Sequence, residues 1–109
     1  MKSYKKLFME GFTFNGRDYC EDSYISNYHE LVKDILDGVH GQIPSGKELK
    51  SMFRKTVYRE LRQMPPSIIE KKLYQPLGDI YVTRSMGIGA INCAVKRISK
   101  IMGKDLVIH

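Results

Sequence analysis

Helix-breaking residues constrain this chain more than any other feature. Asn15-Gly16, Asp37-Gly38, Pro65-Pro66 and the Pro76-Leu77-Gly78 run cut it into short segments. Within those segments apolar residues recur at helical spacing. Ile25, Tyr28, Val32, Ile35 and Leu36 predict an amphipathic helix from about Ser23 to Leu36, closed by Asp37-Gly38. Ser45 and Glu48 form a capping-box pattern. They predict a second helix with Leu49, Met52, Phe53, Val57 and Leu61 on its buried stripe, ended by Pro65-Pro66. Ser67 and Glu70 predict a short third helix carrying Ile68, Ile69 and Leu73. The last helix is expected over 88–102, with Ile91, Ala94, Val95, Ile98 and Ile101 inward.

Three other stretches read as extended. Thr13 and Phe14 precede a turn at 14–17, since Asn-Gly readily takes positive φ. Gln75 to Gly78 reads as a turn before an Asp79–Thr83 strand, and Leu106-Val107-Ile108 as a terminal strand pairing with 79–83. The expectation is a mostly helical α+β single domain with a short two- or three-stranded sheet.

At 109 residues the chain fits one domain. Its longest uncharged apolar stretch, Met86 to Val95, is ten residues, too short for a membrane span. A multidomain enzyme and an integral membrane protein are thereby excluded. Two cysteines, Cys20 and Cys93, point to a reducing compartment. With His29 and His40 they read as two small buried thiols and two surface histidines, because no pair has zinc-knuckle spacing. No metal or cofactor is expected.

Two glycine motifs invite a nucleotide reading. Gly41-Gln-Ile-Pro-Ser-Gly46-Lys47 has phosphate-loop spacing, yet Glu48 stands where a magnesium-binding hydroxyl belongs, and a helix precedes it. It reads instead as a helix-joining loop with a capped helix start. Gly87-Ile88-Gly89 begins like a dinucleotide fingerprint, but Asn92 holds the third glycine position, so a tight turn before a helix is expected. No hydrolase constellation stands out, and no catalytic residue is assigned.

Charge is distributed unevenly. The net charge of +6 hides an acidic segment, residues 18–37, with six carboxylates and one base. From Lys47 to Lys72 eight bases (Lys47, Lys50, Arg54, Lys55, Arg59, Arg62, Lys71, Lys72) face three acids. From Arg84 to Lys104 five bases (Arg84, Lys96, Arg97, Lys100, Lys104) meet none. A shared face would attract phosphate or an acidic protein, with Tyr58 and Tyr74 available to stack on bases. The same residues also serve as an ordinary solvated helix face.

The first ten residues, Met1-Lys-Ser-Tyr-Lys-Lys-Leu-Phe-Met-Glu10, stand apart and are too short for a secretory signal. Read structurally, they are an N-terminal turn of amphipathic helix using Tyr4, Leu7 and Phe8. They also resemble the capsid-targeting leader of internal head proteins of T-even-like bacteriophages, through Met1, Lys2, Ser3, Tyr4, Leu7, Phe8, Glu10 and Gly11. Phe8 stands where Leu or Ile is usual. The resemblance implies docking into the scaffold core and cleavage after Glu10 by the phage prohead protease, which would read Phe8, Glu10 and Gly11. It implies a mature domain over 11–109, packaged inside the virion and injected into the host cytoplasm. Its role would be to bind or inhibit a host factor such as a defence nuclease, or to associate with nucleic acid. Removing the leader lowers the net charge by two, from +6 to +4, because Lys2, Lys5, Lys6 and Glu10 leave together.

A second resemblance is to phage ADP-ribosyltransferases. Thr56-Val57-Tyr58-Arg59 is similar to the strand whose Arg binds NAD, and Val82-Thr83-Arg84-Ser85 to their Ser-x-Ser strand. Glu60 replaces the usual Gly, and no Glu-x-Glu follows. That implies a degenerate or truncated relative, since the glutamate supplies electrostatic stabilisation of the reaction.

Overall fold

The computed structural model describes residues 11–20, 23–58, 72–78 and 80–109. Strands β1 (Phe12–Phe14) and β2 (Arg17–Tyr19) form a hairpin. Asn15 at φ 51° and Gly16 at φ 83° make its two-residue turn. Two consecutive left-handed residues match the twist of the flanking strands, which is why Asn-Gly suits this place. Helix α1 (Tyr24–Leu36) starts at Ser23, whose hydroxyl accepts the Ser26 N–H. Gly38 at φ 79° turns the chain away after it.

Helix α2 (Gly46–Phe53) opens with the expected capping box: the Ser45 hydroxyl accepts the Glu48 N–H, and Glu48 Oε1 accepts the Ser45 N–H. It ends earlier than its apolar stripe predicts. Arg54 takes φ 51°, a 3₁₀ turn covers Arg54–Thr56, and Val57–Tyr58 becomes strand β3. Val57 has helical spacing from Phe53, but its branched side chain also suits a pleated surface, and pairing with a neighbouring strand decides the outcome. The remainder of that predicted helix, including Leu61 and Pro65-Pro66, lies outside the described residues. So does the Ser67–Glu70 capping pattern; Lys72 and Leu73 are helical.

Strand β4 (Tyr74–Leu77) replaces the turn expected over 75–78, and only Gly78 turns, at φ 62°. It pairs with β5 (Ile80–Thr83) in the order β3-β5-β4. Being an edge strand, β4 accommodates Pro76, which has no N–H to give a second neighbour. Helix α3 runs over Ile88–Met102, the predicted bounds, and closes at Gly103 in the left-handed region. Strand β6 (Leu106–Ile108) forms, but its partner is β1, with Phe12 opposite Ile108, and not β5. The first sheet is therefore β2-β1-β6 and the second β3-β5-β4, both antiparallel. The fold is a small single-domain α+β fold with two small sheets where one was expected.

Helix α3 sits at the centre of the packing, against α1, α2 and β6. Its Ile91, Ala94, Val95 and Ile98 are buried. Phe12 and Phe14 from the first sheet and Ile80 and Val82 from the second join the same core, with Tyr28, Leu31, Val32 and Ile35 of α1. Alternation along β1 sends Thr13 outward between the two buried phenylalanines.

Candidate functional site: a basic face on two packed helices

Helices α2 and α3 run antiparallel. Ser45 and Glu48 at the start of α2 share a cleft with Ile101 and Met102 at the end of α3, while Met52, near the end of α2, meets Arg97. Leu49, Met52 and Phe53 take the inward side of α2. Lys47 and Lys50, three residues apart, share its exposed outer side, and Arg54 is exposed where the helix ends. On α3 the buried stripe leaves Lys96 and Lys100 exposed and Arg97 half-buried at the seam. The structure thus brings six of the predicted anion-binding residues onto neighbouring outer surfaces. Among the described residues no carboxylate pairs with any of the six, the ion pair there being Arg17 with Asp34.

Arg97 is the most constrained of them. Its Nε donates to the Met52 carbonyl at 3.0 Å, satisfying a carbonyl that the end of α2 leaves open. Burial lowers its pKa from the ordinary arginine value, and the nearby charge of Arg54 lowers it further. Beneath them the buried Tyr28 donates its hydroxyl to Thr56 Oγ1 at 2.6 Å, and Thr56 donates to the Phe53 carbonyl at 2.6 Å. The turn that carries Arg54 is pinned from below by this chain.

The other predicted residues separate from this face. Arg84 follows β5, its N–H donating to the Leu73 carbonyl at 2.8 Å, and no contact among the described residues ties it to the two helices. The Tyr74 hydroxyl donates to the Lys55 carbonyl, so its polar end is already engaged. Arg59 and Arg62 lie outside the described residues, as do Phe8 and Glu10 of the processing motif. Gly11 is described and buried, with φ 115°. A Cβ there would come within 2.3 Å of the Tyr19 carbonyl oxygen and 2.8 Å of Cys20 Sγ. The fold itself therefore demands glycine at this position, whatever a protease requires of it.

A buried polar cluster escaped the sequence reading. Tyr19 donates its hydroxyl to Asp34 Oδ2 at 2.6 Å, which leaves the phenolic oxygen to accept from His40 Nε2 at 2.6 Å. With Nε2 carrying the hydrogen, Nδ1 accepts from Asn15 Nδ2 at 3.3 Å. Burial and Asp34 push the Tyr19 phenol far up, while burial pulls His40 down. Each polar end is occupied, so the cluster ties the hairpin to α1 and to the α1–α2 connection and offers no activated nucleophile. One signal was available: Asn27, Leu31 and Asp34 lie at helical spacing on the buried side of α1. A carboxylate on that stripe must find partners.

The expectation of buried thiols and surface histidines is corrected on three counts. Cys93 is exposed, Cys20 is half-buried, and His40 is 4% exposed, held by Tyr19 and Asn15. His29 donates from Nε2 to the Thr83 carbonyl at 2.8 Å. Among the described residues no three metal-ligating side chains come together. The Gly41–Lys47 segment joins two helices, as expected, and borders a cleft of about 490 Å³ with His40 and Lys104. Glu48 occupies the helix start there, where a triphosphate would meet its charge. Gly87 caps the start of α3 at φ −66°, and open space surrounds both it and Gly89.

No protein-family model matches this chain, and no curated protein or solved structure shows significant similarity to it. No helix among the described residues is long and apolar enough to cross a membrane.

Proposed function

We propose that this is an internal virion protein of a T-even-like phage, carried with the genome and delivered to the host, where its 11–109 domain binds an anionic host factor without chemistry of its own. The observation that carries the binding part is the doubled basic stripe: Lys47, Lys50 and Arg54 beside Lys96, Arg97 and Lys100, with no acidic partner among the described residues. Unneutralised charge of one sign on neighbouring helices attracts a partner of the other sign and speeds its encounter. The leader resemblance supplies the delivery part. The saturated Tyr19–Asp34–His40 cluster supports binding over catalysis, because its groups are committed to one another.

Two experiments test the two parts separately. Co-expression with a T-even-like prohead protease is expected to shift the intact mass to that of 11–109; a mass that never shifts removes the delivery part. Pull-down from host lysate with the full chain is expected to retain a partner that Lys50→Glu with Lys100→Glu releases. Retention indifferent to both reversals removes the binding part.

A second reading draws support from one observation. Val57–Tyr58 is a strand, and it pairs antiparallel with Ile80–Thr83, placing Val57 opposite Val82. The two stretches that resemble ADP-ribosyltransferase strands are thus neighbours in one sheet. NAD labelling of host proteins that is lost on Arg59→Ala would favour this reading over a pure binder.

A further inference from the structure

Asn15 and Gly16 form the tip of the β1–β2 hairpin, and both are exposed. The chain holds two other asparagines, Asn27 and Asn92, each inside a helix and neither followed by glycine. The difference matters because an asparagine side chain can close a five-membered imide ring with the amide nitrogen of the next residue. A helix ties that N–H into its own ladder, and a side chain on the following residue crowds the attack. Gly16 has no side chain to interfere. The hairpin's closing bonds pair Phe14 with Arg17, so the turn does not consume the Gly16 N–H.

The Asn15 amide also faces something that would register its loss. Its Nδ2 donates to His40 Nδ1 at 3.3 Å, a longer bond than the 2.6 Å contact on the other side of the same ring. The amide is therefore held toward a buried imidazole by the weaker of that ring's two bonds.

We propose that Asn15-Gly16 is a self-modifying site, whose conversion replaces the amide facing His40 with a carboxylate. The Gly16 nitrogen bonds to Asn15 Cγ, the Cγ–Nδ2 bond breaks, and the departing amide takes up the Gly16 hydrogen and leaves as ammonia. Water then opens the ring. Opening at Cγ gives an aspartate in an unchanged backbone. Opening at the main-chain carbonyl gives an isoaspartate, which lengthens the backbone of the turn by one carbon. Nothing is oxidised or reduced, and water is the co-reactant.

The aspartate product changes the cluster through the direction of its hydrogen bonds. A carboxylate accepts and cannot donate. Set against His40 Nδ1, it favours a ring with hydrogen on both nitrogens, one given to the new carboxylate and one to the Tyr19 oxygen. His40 is 4% exposed, so this attraction is screened less than at the surface. The other groups around the ring are Asp34 on α1, Tyr19 and Arg17 on β2, Lys104 after α3, and Glu48 of α2 in the shared cleft. The Phe14 ring stands edge-on at 4.9 Å. Asp34 assists the protonated form, and Arg17 and Lys104 oppose it. Conversion thus inverts the response to acid. The amide form loses stability as pH falls. In the carboxylate form the folded chain holds the proton more tightly than the unfolded one, so that contribution is complete below about 6.5 and is lost as pH rises.

The test begins with the full chain, incubated folded at mildly alkaline pH. Its intact mass is expected to rise by the exchange of one NH for one oxygen, mapped to the peptide holding residues 15 and 16, with isoaspartate detected there. Asn15→Gly keeps a residue suited to positive φ and cannot form the imide, so its mass is expected to stay constant. Asn15→Asp supplies the aspartate product directly. Its urea midpoint is expected to rise from pH 7.5 to 5.5, where that of the unmodified chain falls, and adding His40→Gln is expected to remove the rise.

A folded chain that keeps its mass while the urea-unfolded chain gains it shows a turn that shields its own amide, and overturns the site. A mass gain that persists in Asn15→Gly places the chemistry elsewhere and overturns it as well. An Asn15→Asp midpoint that declines with acid as the original does overturns the link to His40.

Discussion

Tyr19 donates its phenolic hydrogen to Oδ2 of Asp34 across 2.6 Å, and both residues are buried. That direction of donation fixes the His40 tautomer and so organises every other bond of the cluster. Arg17 closes the outer side, with Nε 3.2 Å from the same carboxylate oxygen. Tyr19→Phe removes one hydroxyl and strands two buried partners. It is expected to destabilise the fold by about 2 kcal/mol, within the range for an unmade buried hydrogen bond, read as a lower urea midpoint at unchanged m-value.

Acid is expected to weaken the fold through His40. Burial holds its pKa below the ordinary value of about 6.5, with Arg17 and Lys104 adding to the lowering and Asp34 opposing it. Between that depressed folded value and about 6.5 the unfolded chain binds a proton that the folded chain does not. Stability therefore falls as pH drops through that window and is fully present above it. Urea midpoints at pH 7.5, 6.5 and 5.5 should decline, and His40→Gln should flatten this part of the decline. A midpoint independent of pH over this range would refute the assignment.

Gly11→Ala is expected to be among the most damaging single substitutions. The new Cβ meets backbone, the Tyr19 carbonyl oxygen at 2.3 Å and Cys20 Cα at 2.9 Å, at a φ of 115°. Steric conflict and an unfavourable φ add, for a loss of about 3 kcal/mol. Thermal unfolding of the uncleaved chain checks this independently of any processing.

Arg54→Gly is expected to act in the opposite direction, raising stability by about 1 kcal/mol as the positive φ ceases to be strained. A higher urea midpoint would show that the backbone burden outweighs whatever the arginine side chain contributes. A lower midpoint would show that the arginine side chain stabilises the α2 terminus more than its backbone burdens it.

Ser45→Ala removes the hydroxyl that accepts the Glu48 N–H at 3.2 Å and ends the reciprocal capping box. The expected loss is about 1 kcal/mol, measurable as a fall in Tm.

These elements differ in how plainly the chain announces them. Helix α3, the α1 stripe, the Ser45–Glu48 cap and the Asn15-Gly16 turn follow from local chemistry, and all four were legible. The end of α2 was not. Val57 continues the helical spacing of Phe53, and only pairing with Val82 across the second sheet converts it to strand. Leu106 to Ile108 reads as a strand for its own reasons, but alternation reveals faces and not neighbours, so β1 could not be named as its partner. Pro76 marked a turn until its strand proved to be an edge. The basic residues were evident by type, whereas the hold of Arg97 on the Met52 carbonyl depends on where α2 ends. The buried cluster stayed hidden because Asp34 was counted with an acidic segment instead of with the inward side of its helix.

The pairing of β1 with β6 amounts to a hairpin that lacks its turn. Gly11 and His109 end side by side, joined by the His109 N–H donating to the Gly11 carbonyl at 3.0 Å. Tension between these two points peels the strands apart one bond at a time, instead of loading every bond together as shear would. Resistance to stretching is then set by a single pair at the corner of the sheet, however well the core is packed. A sheet built this way is firm at rest and yields readily when drawn apart at Gly11 and His109.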